Sequence, residues 1–177
     1  MLVQMLAGAA SVFRVEGCEL VGGHTTEAAQ MDPLPTLGFS VTGVVPESRP
    51  LLKGPLTPDT CLILTKALGT GMLMVADMKG YVKGDWVEKA LDSMLRSSAE
   101  AARIFERYGC TACTDVTGFG LVGHLVEMFP RVDEAETIAV TDGDEIVVEI
   151  SLEDLPLLDG VRESCLEGLF SSLHPEV

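Results

Sequence analysis

The segment CTDVTGFGLVGH, Cys113–His124, sets the fold class that this sequence predicts. An aspartate, Asp115, follows a short apolar run, and Gly118 and Gly120 come soon after it. The chain continues as LVGHLVEMF, whose apolar spacing predicts a helix over Gly118–Phe129. A strand that ends at an acid, turns through glycines and enters a helix is typical of an α/β layer fold.

The same alternation of strand and helix patterns is found on both sides of this segment. Apolar residues recur at helical intervals over Leu2–Val15 and in one long run from Gly84 to Gly109, and each pattern predicts one helix. TLGFSVTGVV and TCLILTKAL have the composition of strands, and TIAVTDGDEIVVEIS predicts a hairpin around Asp142-Gly143. Together these patterns predict a mixed α/β protein.

The bulk composition is that of a globular protein. The chain has 177 residues, of which 47% are hydrophobic and 22% charged. It has no apolar run near the ~20 residues that span a bilayer, so we expect the chain not to associate with a membrane. The apolar N-terminus lacks a leading basic region and has helical spacing, so we predict a helix rather than a signal peptide. Five scattered cysteines favour a reducing compartment, and we expect the cytoplasm.

The acidic balance of the chain limits its partners. The net charge is −15, with 27 acids against 12 bases. Such a surface repels phosphate backbones, so no nucleic-acid partner is expected. A nucleotide remains compatible, because Mg²⁺ and backbone amides can hold phosphates on an acidic protein.

Two glycine-containing segments are candidate nucleotide sites. Gly22-Gly23-His24-Thr25 follows an apolar run, and backbone N–H groups freed by a double glycine suit a phosphate. A plain glycine turn explains the same four residues. Asp115 could hold Mg²⁺ against phosphate oxygens, although an aspartate before a helix is also an ordinary cap. The residues alone leave both readings open at each segment.

Other motifs are weaker. There is no GxxxxGK[ST] loop and no GxGxxG followed by a ribose-binding acid, so neither familiar nucleotide fold is supported. Cys110 and Cys113 have CxxC spacing, but a zinc ribbon needs a second pair and a redox pair is the less favoured reading. The three histidines are too dispersed to predict a metal triad.

Five segments in order resemble the selenophosphate synthetases, also called selenide, water dikinases. They are QMLAGA, LVGGHTTE, LILTKALGTG, ACTDVTGFGLVGHLVEM and LPLLDG…GLFSSLHP. The resemblance implies an ATP- and Mg²⁺-dependent phosphotransferase that converts selenide, ATP and water into selenophosphate, AMP and orthophosphate. Selenophosphate supplies selenium to selenocysteine and to tRNA. It also implies a homodimer and a C-terminal domain like that of aminoimidazole ribonucleotide synthetase, a three-layer α/β/α fold with a mixed sheet.

The resemblance assigns roles to five residues. Asp115 matches the metal-binding aspartate, and Gly22, Gly23, His24 and Thr25 match or adjoin the segment that lies against ATP. The nucleophilic cysteine or selenocysteine of the family and its partner lysine lie well upstream of the GGHT segment. We therefore expect no catalytic residue in this chain, and none of its five cysteines is predicted to be the nucleophile.

The resemblance also implies a domain division and a fragment. Residues 1–25 are predicted to be the end of an ATP-binding domain or a linker, and residues 26–177 an incomplete second domain. Such a fragment should be inactive alone. LMVADMKGYVKGDWVEKALDSML further resembles forms fused to an NADH dehydrogenase-like domain. Two alternatives stay open: another ATP-dependent enzyme of the same superfamily, and a non-catalytic dimerisation module.

Overall fold

The computed structural model describes residues 1–26, 36–45, 50–129 and 146–171. These residues fall into two compact units, 1–49 and 50–177. Within the described ranges the regular structure is helical, and its elements in chain order are α1 (Leu2–Glu16), α2 (Thr70–Met78), α3 (Gly84–Leu95), α4 (Ala99–Arg107), α5 (Gly120–Val126) and α6 (Val161–Leu166).

The first unit contains α1, which confirms the helix predicted over Leu2–Val15. The helix ends at Gly17, whose φ of 69° places it in the left-handed region that glycine tolerates. There the Cys18 N–H donates to the Phe13 carbonyl at 2.8 Å. The Phe13 ring meets Phe39 edge to face at a centroid distance of 5.2 Å. An aromatic contact thus ties α1 to the segment 36–45.

Strand pairing is sparse in the described part of the chain. Its one isolated bridge joins Leu68 and Leu157 in parallel. The Leu68 N–H donates to Pro156 at 2.9 Å, and the Leu158 N–H donates back to Leu68 at 3.0 Å. The segments 36–45 and 60–68, predicted as strands, form no strand here apart from the bridge at Leu68. The hairpin predicted at Asp142-Gly143 lies outside the described residues. The mixed sheet is therefore not confirmed.

The core of the second unit lies where α2, α3 and α6 meet. Leu73, Ala90 and Val161 are buried together, one from each helix, and Trp86 packs against them. The helix α2 begins at Thr70, directly after Gly69. Two glycines allow the elements to approach closely.

These glycines are Gly69 and Gly160, both with positive φ, 117° and 88°. A Cβ on Gly69 would overlap the Val161 side chain, and one on Gly160 would overlap the Trp86 ring. Lys89 and Asp159 form an ion pair beside this contact. Only glycine fits these two positions without displacing the core.

The single long helix predicted from Gly84 to Gly109 is wrong, because α3 ends at Leu95 and α4 begins at Ala99. Arg96 has the extended conformation, with φ −70° and ψ 117°. The Lys66 ammonium donates to the Ser93 carbonyl at 3.0 Å and also to Arg96. The Ser97 hydroxyl then accepts the N–H of Ala99, the first residue of α4, at 3.1 Å.

A second core cluster lies around α5. Leu56, Leu125 and Met128 are buried together, with Val148 and Ile150 packed against them. Burial alternates along residues 146–150, as expected for an extended segment with one face on a core. The helix α5 is shorter than the predicted Gly118–Phe129, because it starts after a turn closed by Gly120. None of the described helices is long and apolar enough to cross a membrane.

Candidate functional site

Asp115 lies in the segment without regular secondary structure that joins α4 to α5. The backbone N–H of Cys113 donates to the Leu52 carbonyl at 2.8 Å, which anchors the segment two residues before the acid. The Thr114 hydroxyl donates to the backbone oxygen of Asp115 at 3.3 Å. The residue is exposed, and its carboxylate makes no ion pair within the described residues. It is thus placed to take a ligand from solvent.

The glycines of the motif shape the turn between Asp115 and α5. Gly120 has φ 71°, and its N–H donates to the Thr117 carbonyl at 3.0 Å. A Cβ at Gly123 would come within 2.8 Å of the Phe119 Cβ. The Phe119 side chain itself is 75% exposed. Glycine is therefore needed at position 120 for the left-handed backbone and at position 123 for the close approach to Phe119, independently of any ligand.

His124 is the buried polar residue of this site, with 4% of its surface exposed. Its Nε2 lies 3.0 Å from the Thr117 hydroxyl, and its Nδ1 lies 3.3 Å from a Glu127 carboxylate oxygen. The ring also contacts Phe119 at a centroid distance of 5.7 Å. Both ring nitrogens therefore have partners, which is what burial of an imidazole requires.

Glu127 carries these contacts to another part of the chain. Its carboxylate accepts a hydrogen bond from the Lys53 ammonium at 2.6 Å. The hydrogen bond from Lys53, followed by the one from His124, lowers the pKa of Glu127 below its ordinary value of 4.5. Glu127 is therefore ionised at neutral pH and acts as an acceptor.

We expect Lys53→Met to raise the pKa of Glu127, because the variant removes its strongest hydrogen-bond donor. A lowered folded-state pKa means that the pair stabilises the fold above the ordinary carboxyl range. That contribution is lost as the pH falls through the folded pKa. The measurement is an NMR titration of the Glu127 side-chain carboxyl between pH 2 and 7.

Lys83→Met is the matched control, because Lys83 lies over the Trp86 ring in the other core cluster. The control should leave the Glu127 titration unchanged. An unchanged titration in Lys53→Met would show that the ion pair is absent in solution.

The second candidate segment lies in the first unit. After α1 comes an exposed stretch without regular secondary structure, which contains Gly22, Gly23, His24 and Thr25. A Cβ at Gly22 or Gly23 would meet no atom within 4 Å, so the fold of this unit does not itself require glycine there. The nucleotide role predicted for the four residues stays a prediction.

The CxxC pair shows no sign of a reactive thiol. Cys110 and Cys113 are free and half-buried. Burial first, and then the neighbouring Cys110 and Asp115, raise the pKa of the Cys113 thiol. A raised pKa disfavours the thiolate that redox and nucleophilic chemistry need. Within the described residues no three His, Cys, Asp or Glu side chains are grouped as a metal site.

Three residues of the site were not found by sequence reasoning. Thr117 lies inside the recognised motif, but nothing in the pattern distinguishes its hydroxyl. Glu127 lies three residues after His124, a spacing that puts both on one helix face and could have suggested the contact. Lys53 gives no sequence signal, because it is 74 residues from its partner.

Asp115 thus lies in an exposed loop that turns through Gly120 into the short helix α5. Residues 57–160, more than half of the chain, match the family described as AIR synthase related protein, C-terminal domain. The chain belongs to this family. Among curated proteins, those named selenide, water dikinase are similar to it, which confirms the resemblance predicted from the motifs.

The relatives match nearly the whole chain. The protein of Geobacter metallireducens is 36% identical over 168 residues, 95% of this chain and 44% of the relative. That of Trichlorobacter lovleyi is 34% identical over the same shares. That of Pelobacter propionicus is 39% identical over 127 residues, 72% of this chain and 35% of the relative. The chain thus spans less than half the length of these relatives. No solved structure matches it.

Proposed function

We propose that the chain is part of an ATP-dependent selenide, water dikinase, which makes selenophosphate from selenide, ATP and water and releases AMP and orthophosphate. The observation that carries the proposal is the similarity to relatives of that name over 95% of the chain. The chain covers 44% of those relatives, so the activity is assigned to a longer protein that carries it. The isolated chain is proposed to be inactive.

Asp115 is proposed as a ligand of the Mg²⁺ that accompanies the nucleotide. Its carboxylate is exposed and is of the ligand type that Mg²⁺ prefers, so the residue fits the ion. A bound Mg²⁺ would neutralise phosphate charge on a chain of net charge −15. One carboxylate is not a complete site, and the described residues offer no group of three candidate ligands. The other ligands are proposed to come from elsewhere in the protein.

Gly22, Gly23, His24 and Thr25 are proposed to lie against ATP. The support is their exposure to solvent, which leaves room for a ligand beside the backbone, together with the motif resemblance. Because the proposed contact uses backbone, side chains added at the glycines should weaken it through steric hindrance rather than through unfolding.

The remaining assignments are also proposals. They are a three-layer α/β/α second domain with a mixed sheet over residues 26–177, a preceding part over residues 1–25, a homodimer, and a cytoplasmic location. Nucleic acid and membrane are not proposed as partners, in keeping with the acidic balance.

The experiment that tests the function follows ATP by phosphorus NMR in the full-length protein that carries this chain. Selenide-dependent AMP and a new selenophosphate signal are expected. Intact ATP would contradict the dikinase and favour the non-catalytic module. ADP formed regardless of selenide would instead favour another enzyme of the AIR synthase related family.

We expect the isolated chain to bind MgATP weakly or undetectably, because most of the proposed ligands lie outside it. Isothermal calorimetry on the 177-residue chain measures this directly. Micromolar affinity would contradict the expectation and would place most of the nucleotide site within this chain.

A further inference from the structure

His124 has no role in the proposed reaction, yet it is buried with both ring nitrogens paired. Its contacts belong to a series of four polar side chains, Lys53–Glu127–His124–Thr117, which we call the relay. The relay begins at an exposed lysine and ends at the hydroxyl two residues after Asp115.

The chemistry of the partners fixes the direction of each hydrogen bond in the relay. The Glu127 carboxylate is ionised and only accepts, so the His124 Nδ1 carries the proton and donates to it. In a neutral imidazole Nε2 is then an acceptor, and the Thr117 hydroxyl donates to it. Each member therefore orients the next, from the ammonium of Lys53 to the side chain of Thr117.

Among the described residues, the relay is one of three hydrogen-bonded connections between residues 113–128 and the segment 52–56. The Cys113 N–H donates to the Leu52 carbonyl at 2.8 Å, before Asp115. The Leu56 N–H donates to the Met128 carbonyl at 2.9 Å, after α5. The relay crosses between these two anchors. Asp115 therefore lies between two fixed positions, two residues after Cys113 and two residues before Thr117.

Stability alone gives a poor account of the relay. Its ion pair is open to solvent, with 54% of the Lys53 side chain and 30% of the half-buried Glu127 side chain accessible. Exposed ion pairs add little to folding. The apolar cluster of Leu56, Leu125 and Met128 already joins the same elements. What the relay adds is a fixed orientation at Thr117.

We propose that Lys53, Glu127, His124 and Thr117 are positioning residues that hold the Asp115 loop in the geometry needed to ligate a divalent cation. This inference rests on the proposed function for the identity of the ion. The geometric part, that the relay orders the loop, is independent of any substrate.

The first test uses NMR on the 177-residue chain without nucleotide, selenide or metal. Long-range ¹H–¹⁵N spectra should show the His124 proton on Nδ1. In Thr117→Val, the backbone amides of Cys113 and Gly120, which donate to Leu52 and Thr117 on either side of Asp115, should exchange with solvent about 10-fold faster, as expected for one lost hydrogen bond. Thr117→Ser, which retains the hydroxyl, should stay within about 2-fold of the wild type.

The amides of Leu73 and Ala90, in the other core cluster, control for global stability and should not change. Three outcomes would contradict the relay. They are a proton on the Nε2 of His124, unchanged amide exchange of the loop in Thr117→Val, and equal amide exchange in Thr117→Val and Thr117→Ser. A parallel rise at Leu73 and Ala90 would also overturn it, because the hydroxyl would then act on overall stability.

The second test uses the full-length protein. Thr117→Val should weaken the apparent affinity for Mg²⁺ about 10-fold, the usual scale for residues that orient a metal ligand. The kcat at saturating Mg²⁺ and the KM for ATP should stay within about 2-fold. A loss of kcat with unchanged Mg²⁺ dependence would overturn the role in metal binding. Absence of selenide-dependent AMP in the wild type would reject the proposed function and leave the NMR result standing.

Discussion

Asp115→Asn is expected to lower selenide-dependent AMP formation by the full-length protein at least about 100-fold. The substitution retains the size of the side chain and removes the negative charge that a hard cation requires. Because the acid is exposed and makes no ion pair among the described residues, the fold should not change. The measurement is phosphorus NMR of ATP turnover, with circular dichroism to confirm folding.

Asp77→Asn is the matched control for this prediction. Asp77 is also an exposed aspartate, and it lies at the end of α2, where its backbone carbonyl accepts the Gly80 N–H. Its variant should retain full activity. If the Asp115 variant were also active, the residue would be a helix-preceding aspartate without a metal, and the dikinase would need its cation ligands elsewhere.

Raising the Mg²⁺ concentration separates lost metal affinity from lost chemistry in the Asp115 variant. Partial recovery at high Mg²⁺ is expected if the carboxylate mainly holds the ion, because the remaining ligands still bind it weakly. No recovery would indicate that the charge also orients the phosphates of the nucleotide.

Helices were predictable from this sequence where apolar periodicity and a glycine at the helix end mark them. Gly17 ends α1, which occurs where periodicity predicts it, and α5 lies within the predicted range Gly118–Phe129. The break between α3 and α4 was missed, because the apolar spacing continues through it. The carbonyls at that break are bound by Lys66, about 30 residues earlier. A local pattern cannot report such a distant partner.

Strands were predicted less well, because a strand exists only with a partner. The segment that ends at Leu68 has strand composition but pairs only at that residue within the described ranges. Its partner, Leu157, is 89 residues away. Strand propensity reflects how well side chains suit a half-buried pleated surface. It does not tell which distant segment of the chain will form the hydrogen bonds that complete a sheet.

The candidate site was predictable in one respect and not in another. The spacing of TDVTGFG placed Asp115 ahead of a helix, and the structure has it there. The relay behind it depends on Lys53 meeting Glu127 across 74 residues, which no motif records. His124 was visible as a histidine near the turn, but its burial and two partners follow from packing.

Gly160→Ala is expected to destabilise the isolated chain by about 2–5 kcal/mol, the largest stability effect that we predict. The φ of Gly160 is 88°, and an L-residue there costs about 1–2 kcal/mol. The added Cβ would also overlap the Trp86 ring, and forcing a side chain into a packed core costs about 1–3 kcal/mol. Urea denaturation followed by circular dichroism measures the change in the free energy of unfolding.

Gly168→Ala is the control that isolates the backbone term. Gly168 has φ 72°, close to that of Gly160, and a Cβ there would meet no atom within 4 Å. We expect this variant to lose only about 1–2 kcal/mol. The difference between the two variants is then the cost of the contact with Trp86. Equal losses would show that the ring does not lie over Gly160 in solution.

A double-mutant cycle with Trp86→Leu tests the same contact from the other side. Once the ring is replaced by a smaller side chain, Gly160→Ala should cost about 1–2 kcal/mol, near the value at Gly168. Trp86 is the only tryptophan, so its fluorescence also reports local displacement in Gly160→Ala directly. An unchanged cost in the Trp86→Leu background would mean that another group closes over the glycine.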